Sequence, residues 1–299
     1  MSARSGFRLF KFPVKNQLHR FTRSKFGSFL FFAILISGGL FSVLPLIYCI
    51  TTSFKPLDEL LIFPPTLFTV KRPTIANYTA IPDLLSGLSV PITRYAFNSI
   101  FVSIIGTFLS VIISAMAAFV LSKTEMKFNK LIFTVVQFSL LFNAYTLSVP
   151  QYIVYSKIGI INTYLAYIVP AAASSMGVFL MKQYMDGYVP YALIEAAHID
   201  GAGWIGIFTR IVLPIVRPCV LTLVMFSFLG IWNSVPSGTI FSESLKTLPT
   251  VMSTIAAGGL ARSGSSMATS VILMIFPIAV YLISQGSIKE TMGSAGIKG

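Results

Sequence analysis

Apolar residues in this chain come in long unbroken runs separated by short polar stretches, without the alternation of a half-buried strand. Six runs stand out, near 27–50, 97–121, 131–150, 164–184, 213–232 and 267–284. Each approaches the roughly 20 residues a helix needs to cross a hydrocarbon core about 30 Å thick. The runs are too long and too continuously apolar for barrel strands, and backbone in lipid must satisfy its own polar groups. They are therefore predicted to be helices, which makes the fold class an all-α integral membrane protein with a six-transmembrane-helix bundle. The first run is read as a retained helix, because Leu44-Pro45-Leu46 continues it without a small-residue cleavage site.

The most polar interlude is EAAHIDGAGWIGIFTRIVLP, residues 195–214, between the fourth and fifth runs. Pro190 is predicted to be the first residue of a short helix, where a missing N–H costs nothing. Tyr191 to Ile199 continue it, and Gly201, which tolerates positive φ, ends it. Trp204 to Val212 then form an amphipathic lead-in to the next span at Leu213-Pro214. Ala196 and Ala197 leave the short helix nearly flat on one face, and Glu195 adds one charge for an Arg, Lys or amide on a docking surface. A helix lying on the bilayer interface is the competing reading of the same residues.

Composition agrees with the pattern. The 299 residues are 55% hydrophobic and only 10% charged, with a mean hydropathy of +0.82. The net charge of +13 is unevenly placed, since fifteen of the 22 Lys and Arg fall on one side of a six-crossing topology. That side is cytoplasmic by the positive-inside rule, with both termini on it. The chain then reads as one domain with a basic arm over 1–26, a transmembrane region over 27–284 that includes the interlude at about 186–214, and a tail over 285–299. Arg4, Arg8, Lys11, Lys15, Arg20 and Arg23 of the arm suit anionic lipid headgroups; only charge would argue for nucleic acid, and none is expected.

The longer connections lie on the opposite, external side. Residues 51–96 are rich in proline and read as an irregular lid or short helices, and 233–266 carry Gly258-Gly259 and Gly264 as a loop. Cys49 and Cys219 suggest neither a disulfide framework nor a metal motif. No glycine-rich loop leads into Lys-Ser or Lys-Thr, so no phosphate cradle is expected in this chain.

Between their ends the six runs hold no Asp, Glu, Lys or His, and Arg217 stands only at the start of the fifth. Ion-coupled carriers usually need ionisable or unwound sites near the midplane. The only histidines, His19 and His198, fall outside the runs, so no catalytic or metal constellation is predicted there. Polar candidates for a solute pathway are Gln137, Asn143, Tyr145 and Ser148 in the third run and Trp232 and Asn233 at the end of the fifth. Gln137, Tyr145 and Ser148 recur near helical spacing, as a neutral stripe for a hydroxyl-rich solute would. Hydrogen bonding between helices would use the same residue types.

The interlude resembles, position for position, the EAA signature of permeases in binding-protein-dependent ABC importers. The matching residues are Glu195, Ala196, Ala197, Asp200, Gly201, Ile211, Leu213 and Pro214. Arg94 with Asn98-Ser99 is similar to that family's RxxxNS entry, GIINTYLAYIVP (159–170) to its GLxNTxxxxILP segment, and WNS (232–234) to the Trp-Asn of its maltose-type, MalG-like carbohydrate branch. The tail keeps a Gly-x-Lys-Gly ending but is more polar near Ser284. The resemblance covers roughly residues 94–235 and implies a type I ABC importer permease for a sugar or oligosaccharide. It also implies that the helix at about 190–201, with Glu195, Ala196, Ala197, Asp200 and Gly201, couples to a separate ATPase, which would hold ATP and Mg while this chain holds no cofactor. The implied partners are a second homologous permease, two ATPase subunits, an extracytoplasmic solute-binding protein and membrane lipid, in a bacterial plasma membrane. The EAA element reports the motor rather than the cargo, so a peptide, amino acid or polyol phosphate importer remains the alternative, with an ion-coupled carrier behind it.

Overall fold

The computed structural model describes residues 25–62, 66–87, 90–142, 144–235 and 238–295, and the regular structure among them is helical. Arg4, Arg8, Lys11, Lys15, Arg20 and Arg23 of the arm and candidate Asn143 lie outside the described residues, as does the side chain of Tyr145. In chain order the helices are α1 (Lys25–Ser53), α2 (Leu57–Leu60), α3 (Ala76–Leu85), α4 (Ile92–Lys123), α5 (Asn129–Ser139), α6 (Ala144–Lys157) and α7 (Leu165–Ala172). They continue with α8 (Ser175–Tyr188), α9 (Tyr191–Ile199), α10 (Trp204–Ile207), α11 (Leu213–Ile215), α12 (Arg217–Trp232), α13 (Leu248–Ala256) and α14 (Ser263–Ala295).

The chain divides into two units, one ending at Ile47 and one beginning at Tyr48. In the first, α1 is apolar all round, with Phe29 71% and Phe41 75% exposed. A helix of that kind has lipid as its solvent. Ser37 and Ser42 turn their hydroxyls back onto the carbonyls of Ile34 and Gly38 at 3.0 and 2.9 Å, so neither is left unbonded in hydrocarbon.

In the second unit α4 is the central strut, and α7, α8 and α12 pack around it, with α14 against α12. Bringing apolar helices together in lipid gains little hydrophobic energy, so contact depends on close approach. The buried face of α4 is accordingly small and polar, with Ser99, Ser103, Ser110 and Ser114. At its crossing with α8 a Cβ on Gly177 would lie 2.4 Å from Ser114 Oγ, so only glycine fits.

Four segments are long and apolar enough to cross a membrane: Gly27–Ser53, Ile92–Lys123, Leu165–Tyr188 and Ser263–Gly286. A fifth is Trp204–Ile215 with Arg217–Trp232, bent by 83°. Pro214 and Pro218 cannot donate to the carbonyls of Arg210 and Pro214, and the ladder widens into a π turn over Phe208–Val212 beside the bend. The third run, 131–150, is two shorter helices. Polar residues gather after Phe142, and Pro150 within α6 removes a further ladder bond. Gln137 on α5 is therefore not on one continuous helical face with Tyr145 and Ser148 on α6.

Two other differences from the sequence reading are local. The loop 233–266 contains α13, whose Leu248, Val251, Met252 and Ile255 are buried against α3, α4 and α14. The last helix does not stop at 284 but continues to Ala295. The lid after α1 does hold short helices, α2 and α3, tied by Asn77 Nδ2 donating to the carbonyls of Ser53 and Lys55 at 2.9 and 2.8 Å.

Candidate coupling loop and membrane cleft

The 190–214 interlude is built from one fixed end to the other. Val189 precedes a proline and is accordingly extended (φ −107°, ψ 100°). Its carbonyl accepts 2.7 Å from Nζ of Lys123, a buried lysine in the last turn of α4. Pro190 stands one position earlier than predicted, at the N-cap, and Tyr191 opens α9. At the other end Gly201 (φ +80°) closes a Schellman motif, its N–H donating to His198 O at 3.0 Å while Ala202 N–H donates to Ala197 O at 2.9 Å.

The two faces of α9 do different things. Ile194 and Ala197 are buried in a core with Met181, Met185, Ile207 and Val212. Full burial of a side chain such as Ile194 contributes about 1.5–3 kcal/mol. Glu195, Ala196, His198, Ile199 and Asp200 face outward, with Ile199 87% exposed. Of the two alanines expected to form one flat face, Ala196 is outside and the methyl of Ala197 is packed inside. Among the described residues the carboxylates of Glu195 and Asp200 have no hydrogen-bond or ion-pair partner. The turn is held by rings, Trp204 lying 4.4 Å from His198 and 6.0 Å from Phe119, with Phe208 5.3 Å from Phe119. The arrangement is a rigid helix that spends its apolar residues inward and presents unpaired carboxylates beside exposed Ile199 and Ile205.

The far end of α4 does the opposite. There Asn98 Nδ2 donates to the carbonyls of Ser244 and Lys246 at 2.8 and 2.9 Å, and its Oδ1 accepts from Tyr164 at 2.7 Å. Ser99 Oγ accepts from Leu248 N at 2.7 Å. Arg94 donates to Tyr164 at 3.2 Å. Asn162, with φ at 59°, accepts at Oδ1 from the amides of Phe241 and Ser242 at 3.0 and 2.8 Å. The RxxxNS-like and GIINT-like residues thus clamp a loop some 80 to 150 positions away in sequence, a role their sequence positions alone did not reveal.

Between α4, α7, α8 and α12 lies a cleft of about 360 Å³. Ser110, Ser174, Ser227, Ser234 and Tyr167 contribute polar groups to its lining, Phe226 and Ile231 part of its apolar wall. Ser110 and Ser227 hydroxyls are 3.2 Å apart. The sequence candidates are elsewhere. Gln137, Ser148 and Asn233 are exposed, and the structure does not gather them at one site. Trp232 is buried between Phe228 and Phe276 at 5.7 and 4.9 Å, with no partner for Nε1 among the described residues. The cleft went unforeseen as a site because serines and glycines in apolar runs read as packing; its sequence signals were Ser227, a polar residue within the fifth run, and Pro170 followed closely by Ser174-Ser175.

Apolar crossings around a cleft, with a rigid polar-edged helix standing outside them, define a membrane transport subunit. The sequence is 33% identical to protein LplC of Bacillus subtilis (strain 168) over 207 residues, which are 67% of this chain and 65% of that protein. It is 29% identical over 273 residues to the sulfoquinovosyl glycerol transport system permease protein SmoH of Agrobacterium fabrum, covering 89% of this chain and 92% of that protein. In fold it matches the crystal structure of a bacterial ABC transporter involved in the import of the acidic polysaccharide alginate, with a TM-score of 0.72 at 19% identity over 89% of this chain and 98% of that one. No protein-family profile matches the chain. SmoH and other relatives are transport system permease proteins, several of them for sugars, and the chain is a transport subunit of that kind and not an enzyme. The non-sugar alternative is not favoured by these relatives.

Proposed function

We propose that this chain forms half of the pathway of a sugar or oligosaccharide importer in a bacterial plasma membrane, completed by a second homologous permease and driven by two ATPase subunits, one of which seats α9. The observation that carries this reading is α9 itself, immobilised by Ile194 and Ala197 yet carrying unpaired Glu195 and Asp200 at its surface. Burying an unpaired carboxylate is costly, so such a helix suits a partner that brings a cation or amide to it. ATP and Mg belong to that partner. What this chain supplies is the linkage, because α9 shares its core with α8 and with the segment leading into α12, so a displacement of α9 is passed to both. The π turn and the 83° bend are the natural places for the motion to be taken up.

Orientation follows from charge. Helices α5 and α6 together carry the chain from the Lys123 end of α4 to Tyr164 at its Asn98 end and so count as one crossing, which keeps six crossings with both termini and α9 cytoplasmic. The clamped 239–248 segment then faces outward, where a solute-binding protein would dock. A crystal structure of the alginate transporter in complex with an alginate pentasaccharide-bound periplasmic protein, whose fold this chain shares with a TM-score of 0.55, supports such a partner.

The test is uptake by the complete importer in liposomes, with both permeases, both ATPase subunits and the solute-binding protein, offered raffinose, maltotriose and trigalacturonate. Glu195→Arg is expected to abolish ATP-driven uptake and weaken ATPase association on the order of a hundredfold, as loss of one desolvated charged contact does, with unchanged membrane insertion. Full uptake and association by that variant would overturn the reading. So would sugar uptake by this chain alone under an ion gradient.

A further inference from the structure

The interruption between α7 and α8 has no structural necessity. Leu165–Tyr188 is one apolar segment of 24 residues, long enough for an uninterrupted crossing. Instead Pro170 offers no N–H to the carbonyl of Ala166, Ala173 leaves the helical region (φ −88°, ψ 51°), and Ser174 is extended, its Oγ accepting from Gly177 N at 3.0 Å. Irregular backbone within an apolar crossing is tolerated where it lines a cavity. Here it does, since Ala166, Pro170, Ala171 and Ser174 all border the 360 Å³ cleft.

The lining selects chemistry. Ser110 is almost fully buried, and its hydroxyl is shared with Ser227. Phe226 is half exposed on α12 in the same lining, and Gly230, one turn further along, leaves open space where a side chain would stand. Among the described residues none that lines the cleft is charged. Hydroxyls and freed backbone carbonyls bond sugar hydroxyls, and an aromatic wall covers the C–H face of a pyranose ring. An anionic sugar would lie there with nothing to balance its charge.

We propose that the cleft at the α7–α8 break is a solute subsite within this permease, taking one ring of a neutral sugar. It rests on the importer reading and narrows it, since the relatives named above serve a sulfonated and an acidic cargo.

The full importer carrying Gly230→Cys in a Cys49→Ser background tests it, with a charged methanethiosulfonate reagent as probe. Raffinose or maltotriose, whichever is transported, is expected to slow labelling of residue 230 at least about fivefold, and trigalacturonate to leave it unchanged. Gly230→Leu, whose Cβ meets no atom and whose branches would take up room in the cleft, should raise the KM for uptake about tenfold or more with ATPase association intact, and Ser227→Ala should raise it about threefold. Transport of neutral sugar with no protection and with wild-type KM in Gly230→Leu overturns the subsite while leaving the importer standing. Residue 230 blocked equally with and without sugar would mean that a partner helix fills the cleft, which also overturns it. Transport of trigalacturonate alone overturns the neutral assignment, and no uptake of any sugar overturns the importer reading beneath it.

Discussion

The two ends of α4 hold their loops by opposite means. At the Lys123 end, α9 is anchored almost entirely by apolar side chains turned inward, and its carboxylates remain unpaired outside. At the Asn98 end, the 239–248 segment is anchored by side-chain hydrogen bonds, and polar groups there are used up within the chain. A helix held by packing keeps its polar groups available for a partner, as the coupling role proposed for α9 requires. A loop that must keep a shape in water takes rigidity from bonds that fix each carbonyl and amide. The difference is readable in which side chains are left over.

The comparison breaks most readily at Asn98. Asn98→Leu removes the three hydrogen bonds of a fully buried side chain, to the part-buried carbonyls of Ser244 and Lys246 and from the Tyr164 hydroxyl, at about 1–1.5 kcal/mol each, so a loss on the order of 4 kcal/mol is expected. Thermal unfolding of the complex in detergent and proteolytic nicking within 239–248 measure it. ATPase association should survive, and its loss would show that the two ends are not independent. Ile194→Ala comes next, removing one packed side chain at about 2–4 kcal/mol. Here the expected signature is reversed, with faster hydrogen exchange in α9 and weakened ATPase association while the 239–248 segment keeps its protection. The smallest effect belongs to Gly201→Ala, since a Cβ meets no atom there and only the φ of +80° is strained, about 1 kcal/mol. A few degrees in the melting temperature with near-normal uptake is the outcome that fits; a stability loss as large as that of Ile194→Ala would mean that the turn, not the packing, holds α9.

Much of the fold is legible because periodicity and composition are local properties. Apolar runs declared the helices, and Pro190 with Gly201 bounded α9 to within a residue. Helix interruptions were harder to read. The split of 131–150 and the break after Ala172 depend on whether a neighbouring surface accepts freed carbonyls, and the sequence around Pro150 and Pro170 does not state what that surface is. α13 was missed for a related reason, since nine residues are too short for propensity to decide and burial against α3 and α14 makes the helix stable.

By itself the sequence determined that this is a helical membrane protein, where the EAA-like residues and the short helix that bears them lie, and that its charges gather unevenly along the chain, because hydropathy, turn chemistry and charge bias act over a few residues at a time. Only the tertiary structure decided that Ala197 faces inward while Glu195 faces out, that Asn98 and Asn162 grip one distant loop, and that serines from α4, α7–α8 and α12 share a cleft. Those facts depend on which helices lie against α4, and in lipid that choice is made by close steric fit and polar pairing across more than a hundred residues of chain.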